Sequence, residues 1–298
     1  MKTALVILNP QAGMRKAAQN LSDILITLQQ GGYVCTVLTT TCSGDATQFV
    51  LDHGRDKDLI VCIGGDGTYN EVAAGVLKAG LTTPLGYIPA GSTNDFANSL
   101  HLSAQMKTAA QDVVDGQVVP LDMGSFGGRP FAYVAAFGAF SKTSYSTPQT
   151  LKNMLGHLAY LLEGIKDLAN LQPIRMFIEA DGQAFQDDYL FGAVSNSTQI
   201  GGMLHLNPEN VDMSDGLLEL LLIRTPKSAL ELGQVLLALN TGNYDGCDCI
   251  RFLSARRLIF RTEADVDWAL DGEKATGSRV LEIVNLPGAI RFVMPCDK

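Results

Sequence analysis

Residues 59–73 read LIVCIGGDGTYNEVA, and the rest of the chain is organised around them. Residues 59–63 are a short apolar, β-branched run, which predicts a buried parallel strand. Gly64, Gly65 and Gly67 follow around the lone carboxylate of Asp66. From Thr68 the spacing turns helical, with Val72, Val76 and Leu77 on one side and Gly80 as the stop. A strand, a glycine turn and a helix start let the backbone approach a phosphate closely, and the helix dipole favours an anion there. Asp66 then offers an oxygen to a metal riding on phosphates. An ordinary strand–helix turn with a capping Asp uses similar residues, but the full nonapeptide GGDGTYNEV is more than such a turn needs.

Composition sets the outer bounds. The 298 residues suffice for one large domain or two ordinary ones, and 46% hydrophobic content fills a core. No apolar run approaches the ~18–20 residues of a membrane span. The opening MKTALVILNPQAG reads as a first strand, so no signal peptide is expected. A net charge of −9 excludes nucleic acid as the expected partner and gives no long-range attraction to anionic membranes. Six scattered cysteines, with only Cys247 and Cys249 close together, read as free thiols of a cytoplasmic protein. The four histidines show no ligand spacing.

Along the chain, strands are expected at 3–8, 33–40, 59–63, 84–89 and 117–126. A single helix is expected from Met14 to Gly31, with others from Ala46, from Thr68 and over 103–115. This βα rhythm predicts a doubly wound, mostly parallel α/β sheet over residues 1–123. From Gly124 the rhythm changes. Strands are expected at 131–137, 175–180, 185–194, 217–223, 250–253, 257–261, 268–270 and 280–284, with Asp181-Gly182 as a hairpin turn. Helical spacing marks 151–171 and 226–240. Residues 124–287 therefore read as a β-rich second domain with the form of a β-sandwich. Acids stand at turns in both halves: Asp95 within AGSTNDFA (90–97), Asp212 and Asp215 before the 217–223 strand, and Asp271-Gly272-Glu273 after 268–270.

GGDGTYNEV resembles the nucleotide-binding signature of the diacylglycerol kinase catalytic family, which includes soluble bacterial lipid kinases and the sphingosine and ceramide kinases. The GGDG core is shared with NAD kinases and phosphofructokinases and by itself indicates an ATP-type donor. The Asn70-Glu71-Val72 continuation leans toward the lipid kinases, and there is no GxxxxGK[ST] loop. The resemblance runs from Asn9 to Glu273 in family order. It implies nucleotide contacts at Asn9 and Gly13, at Thr40, at Gly64, Gly65, Asp66, Gly67, Thr68, Asn70 and Glu71, and at Ser92 and Asn94. Ser92 stands where the family usually has Thr.

Further implications concern chemistry. Asp66 and Asp95 would organise Mg²⁺ and phosphates. A supporting Mg²⁺ would take the Asp215 carboxylate and the carbonyls of Asp212 and Leu217. Glu273 would be the general base, with Asp271 as a supporting acid and the active site between the two domains. The last strand, 289–294, would return residues 288–298 to the first domain. The implied activity is ATP- and Mg²⁺-dependent phosphorylation of a lipid hydroxyl, by default diacylglycerol to phosphatidic acid, with transient peripheral membrane contact and a homodimer as further expectations. A soluble acceptor, as in NAD kinase, and a non-catalytic nucleotide- or lipid-binding regulator stay open as alternatives.

Overall fold

The computed structural model describes residues 1–138, 173–200 and 204–296, so the helical spacing at 151–171 lies outside the described residues. The chain divides into two compact units, Met1–Met123 with Pro287–Lys298, and Gly124–Leu286.

Unit 1 is the α/β part. Its elements are β1 (Lys2–Leu8), α1 (Lys16–Gln19), α2 (Leu21–Gln30), β2 (Tyr33–Thr39), α3 (Asp45–His53), β3 (Leu59–Gly64), α4 (Asp66–Lys78), β4 (Leu85–Pro89), α5 (Asp95–Ser99), α6 (Met106–Asp115) and β5 (Gln117–Phe126). The strands run parallel in the order β2-β1-β3-β4. Every residue of β3 and β4 is buried, as the β-branched runs predict for strands covered on both faces. Contacts pair α2 with α6 and α3 with α4. The second pair is close: a Cβ on Gly75 would lie 2.8 Å from Val50 Cβ. At the far edge the chain's last strand adds a parallel neighbour, Phe292 opposite Leu85. Phe292 is fully buried against Tyr69 and Phe96.

Two expectations change here. The single helix from Met14 is broken into a 3-10 turn (Ala12–Arg15), α1 and α2. Arg15 adopts φ 69, and the Asn20 side chain donates to Lys16 O at 2.9 Å, which ends the first segment. The helix over 103–115 begins only at Met106, because the Ser103 hydroxyl accepts Gln105 N–H at 3.2 Å and holds a turn.

Unit 2 is built of antiparallel pairs. It comprises β6 (Arg129–Phe131), β7 (Val134–Gly138), β8 (Ile174–Ala180), β9 (Gln183–Ser195), the short β10 (Gln199–Ile200) and β11 (Leu204–His205), β12 (Leu218–Arg224), α7 (Ala229–Thr241), β13 (Ile250–Ala255), β14 (Arg257–Thr262), β15 (Val266–Leu270), β16 (Glu273–Gly277) and the first part, to Leu286, of β17 (Val280–Met294). Strand β9 organises the unit. Its first half pairs with β8 across the Asp181-Gly182 turn, and its second half lies between β7 and β12. Trp268 sits at the core, edge-on to Phe126, Phe137 and Phe260.

The expected strand 131–137 is two strands, interrupted at Ala132–Tyr133 for a reason given below. Strand β16 was not foreseen: EKATG is polar and mostly exposed. It pairs on one side with β15, so it lacks the apolar alternation that reveals half-buried strands.

Candidate active site

In unit 1 the chain leaves β1 toward β2 on one side and returns to β3 on the other. The carboxyl ends of β1 and β3 thus flank a topological switch point, where open α/β sheets bind ligands. Asn9 closes the first loop over the second: its N–H donates to Ile63 O at 2.9 Å, and its Nδ2 donates to Thr68 Oγ1 at 3.1 Å. Gly13 has φ +57 and abuts the Ala90 carbonyl so closely that a Cβ would collide with it. Gly65 and Gly91 pack backbone to backbone, a Cβ on Gly91 falling 2.7 Å from Gly65 Cα. Ala90 N–H donates to Gly64 O at 2.7 Å. Three loops, after β1, β3 and β4, therefore converge because glycines let them touch.

The acids of this region are deeply engaged. Asp66 is the first residue of α4, two residues earlier than the spacing predicts, with Gly65 as N-cap in extended conformation. Its Oδ2 accepts Asp95 N–H at 3.0 Å and its Oδ1 accepts Phe96 N–H at 3.3 Å, so it caps α5. Burial raises the Asp66 pKa, against the opposing pull of these backbone N–H groups. Asp95 is itself buried. Asn94, at φ 54, ties its own loop by exchanging hydrogen bonds with Gly91 at 2.8 and 3.0 Å. Ser92 is exposed on that loop.

Glu71 has a different duty from its neighbours. Its carboxylate crosses to α3, accepting from Ser43 Oγ at 3.0 Å, Gly44 N–H at 2.9 Å and Ala46 N–H at 3.3 Å. It fixes the loop that follows Thr40, whose own N–H donates to Leu8 O at 2.9 Å. On the same loop Asp45 accepts from Thr41 N–H and Cys42 N–H, which holds its carboxyl well below the usual carboxylate range.

Two residues of α4 have no internal explanation. Gly67 is exposed, has no positive φ, and has nothing within 4 Å of where a Cβ would stand. Neither strain nor packing calls for glycine there, although glycine costs ~0.5–1 kcal/mol in a helix relative to alanine. Asn70 is 7% exposed, and its Oδ1 is buried with no hydrogen-bond partner among the described residues.

In unit 2, Asp271 and Gly272 form the tight β15–β16 turn with φ 49 and 85, and Glu273 opens β16. Asp271 is buried, and its carboxylate accepts three backbone N–H groups: Ala132 at 2.6 Å, Tyr133 at 3.0 Å and Val134 at 2.9 Å. Those bonds interrupt the strand expected over 131–137. Glu273, by contrast, is exposed, and its Oε2 lies 2.7 Å from Arg129 Nη2. Arg129 was not singled out in the sequence, since 144 residues separate it from its partner. Also unforeseen is the buried trio Ser195, Asn196 and Ser197, where Ser195 Oγ donates to Tyr133 O at 3.0 Å.

The loop before β12 closes on itself. Asp212 Oδ1 accepts from Ser214 N–H and Oγ, Asp215 Oδ1 accepts Leu217 N–H at 2.8 Å, and Leu217 O accepts from Asn285 Nδ2 at 2.8 Å. These are hard oxygen donors of the kind Mg²⁺ prefers. No cluster of three metal-capable side chains occurs among the described residues, so any cation here would lean on carbonyls and on its own waters or ligands.

Comparison with known proteins agrees with both halves. A family described as the diacylglycerol kinase catalytic domain matches residues 3–126, and one described as the YegS C-terminal NAD kinase beta sandwich-like domain matches residues 137–294. A diacylglycerol kinase of Bacillus subtilis (strain 168) is 35% identical over 300 residues, covering 100% of this chain and 98% of the relative. One from Staphylococcus haemolyticus (strain JCSC1435) is 30% identical, covering 99% and 89%. A solved diacylglycerol kinase structure from Bacillus anthracis str. Sterne shares the fold, with a TM-score of 0.74 at 23% identity over 98% of this chain and 96% of that one. With a parallel sheet carrying glycine loops at its switch point, an antiparallel second unit and full-length relatives of one kind, the chain belongs to the diacylglycerol kinase family and is a lipid kinase.

Proposed function

We propose that this kinase uses ATP with Mg²⁺ and phosphorylates the hydroxyl of diacylglycerol, giving phosphatidic acid. The observation that carries the donor side is Gly67: a glycine in the first turn of α4 with open space around its missing side chain, where a phosphate can meet the backbone. The amides of Gly67 and Thr68 have no carbonyl four residues back within the helix, so they are available as donors. Those amides fit a nucleotide phosphate, whereas the orphaned Asn70 Oδ1 is an acceptor that a hydroxyl or amino group of the nucleotide, or a water, would satisfy. Bound ATP and Mg²⁺ would supply the transferable phosphoryl group and neutralise its charge. Asn9, Gly13, Gly64, Gly65, Thr68 and Asn94 shape the cradle, and Asp66 holds the β4–α5 loop in it.

On the acceptor side, two acids divide the work. A carboxylate has about four lone-pair sites, and Asp271 spends three of them on buried amides. That makes it a support for the hairpin tip. Glu273, exposed on the next strand and paired with Arg129 through one oxygen, is the acid placed to take the proton of an incoming hydroxyl, a role worth roughly 10²–10⁴-fold in rate. The acceptor lies in a bilayer, so membrane contact is peripheral and transient in this reading. Among the described residues no helix is long and apolar enough to cross a membrane.

The test is transfer of label from γ-labelled ATP into a total lipid extract, with and without Mg²⁺, followed by identification of the labelled species. Label in phosphatidic acid is expected. Label in a different lipid, or transfer to NAD supplied in a parallel reaction, would replace diacylglycerol in this reading.

A further inference from the structure

We propose that Arg129 is a positioning residue for the transfer reaction, aiming the Glu273 carboxylate at the acceptor hydroxyl. The inference rests on the reading of Glu273 as the base. The two side chains are 45% and 47% exposed, and a pair so exposed to solvent adds little to stability. Fold stability is therefore a weak reason for the contact. The geometry around it is far more constrained than its energy warrants.

Each partner is the first residue of a strand that follows a tight two-residue turn. Arg129 opens β6 after Gly127 and Gly128, at φ 53 and 92, and pairs with Phe126. Glu273 opens β16 after Asp271 and Gly272 and pairs with Leu270. Turns with two positive φ values fix hairpin register tightly. The two hairpins are then tied together. The amides just beyond β6, at Ala132, Tyr133 and Val134, grip the buried Asp271 carboxylate of the other turn. Tyr133 is held from its carbonyl side as well, by Ser195 Oγ and by Asn196 N–H at 2.9 Å. Two flexible side chains are thus mounted on bases whose separation is set by buried hydrogen bonds, and a planar guanidinium orients a carboxylate more tightly than an ammonium does.

Only Nη2 of Arg129 is engaged among the described residues. A direct grip on a phosphate oxygen through its remaining N–H groups is the rival role, and a double-mutant cycle separates the two. Arg129→Gln, Glu273→Gln and the double variant are assayed with γ-labelled ATP and the lipid that the wild type labels best. Arg129→Gln is expected to lower kcat roughly 10–100-fold, the scale of a misplaced reacting group, with the KM for ATP unchanged. Arg129→Lys should recover part of the loss. The double variant should be no slower than Glu273→Gln alone, since Arg129 then has no base to aim. Penalties that multiply, or wild-type kcat in Arg129→Gln, would overturn the proposal while leaving Glu273 as the base. Wild-type turnover by Glu273→Gln alone would instead remove the base reading, and the proposal with it.

Discussion

Replacing Asp271 by asparagine tests whether the hairpin tip depends on a buried anion. The carboxylate accepts Ala132 N–H through Oδ2 and both Tyr133 and Val134 N–H through Oδ1. Asparagine can keep its oxygen in the second place, but its NH₂ then faces the Ala132 amide, donor against donor. Leaving that buried N–H unsatisfied costs about 1–3 kcal/mol, and the two surviving bonds lose the charge that had made each worth about 1.5–3 kcal/mol. Relief from burying a charge offsets part of this, leaving a net loss of about 2–4 kcal/mol. The chain has one tryptophan, Trp268, buried on β15 two residues before the strand's end. Urea unfolding followed by tryptophan fluorescence therefore reads unit 2 by itself. A transition displaced by less than ~0.5 kcal/mol, the range of an ordinary surface substitution, would show that the three amides do not depend on the carboxylate. Loss of turnover without loss of stability would move Asp271 from support to chemistry.

Gly67→Ala should stabilise α4 by ~0.5–1 kcal/mol yet weaken ATP binding at least tenfold by calorimetry; unchanged binding would leave this glycine unexplained. Because burial raises the Asp66 pKa in the folded state, its contribution to stability is fully present below the ordinary carboxylate pKa and is lost as pH rises through the raised value. Melts across that window should show this decline in the wild type and not in Asp66→Asn, which should also lose turnover; parallel pH profiles would place the effect elsewhere. Asp215→Ala should abolish any Mg²⁺-dependent gain in melting temperature seen in the wild type, whereas equal gains in both proteins would reduce the Asp215-Gly216 pair to a turn.

The βα rhythm of unit 1 and the Asp181-Gly182 hairpin were legible because their signals are local: apolar period, glycine punctuation and turn chemistry. The glycine loops were legible for the same reason. What the sequence concealed was the assignment of each acid. Glu71 and Asp66 stand in one motif, yet one caps α3 and the other caps α5, by bonds to residues 25 and 29 positions away. The break at Ala132–Tyr133 comes from a carboxylate 139 positions further along. Asp271 and Glu273 differ by two residues in sequence, and only burial separates a saturated carboxylate from an exposed one. Strand β16 was hidden because an edge strand with polar residues has no apolar period to read.

Strand β17 gives the protein an unusual order of completion. Its first half, to Leu286, belongs to unit 2, and from Pro287 onward it belongs to unit 1. The aromatic cluster beside the glycine loops includes Phe292, and Ile290 and Val293 are buried in the same unit. A ribosome adding ~5–20 residues per second spends on the order of ten to thirty seconds on residues 124–286 after finishing the first 123. During that interval β4 has one edge open and the cluster of Tyr69, Tyr87 and Phe96 lacks its fourth ring. The half that carries the glycine loops, although synthesised first, is thus the half that matures last, because its final strand is made only after the second half.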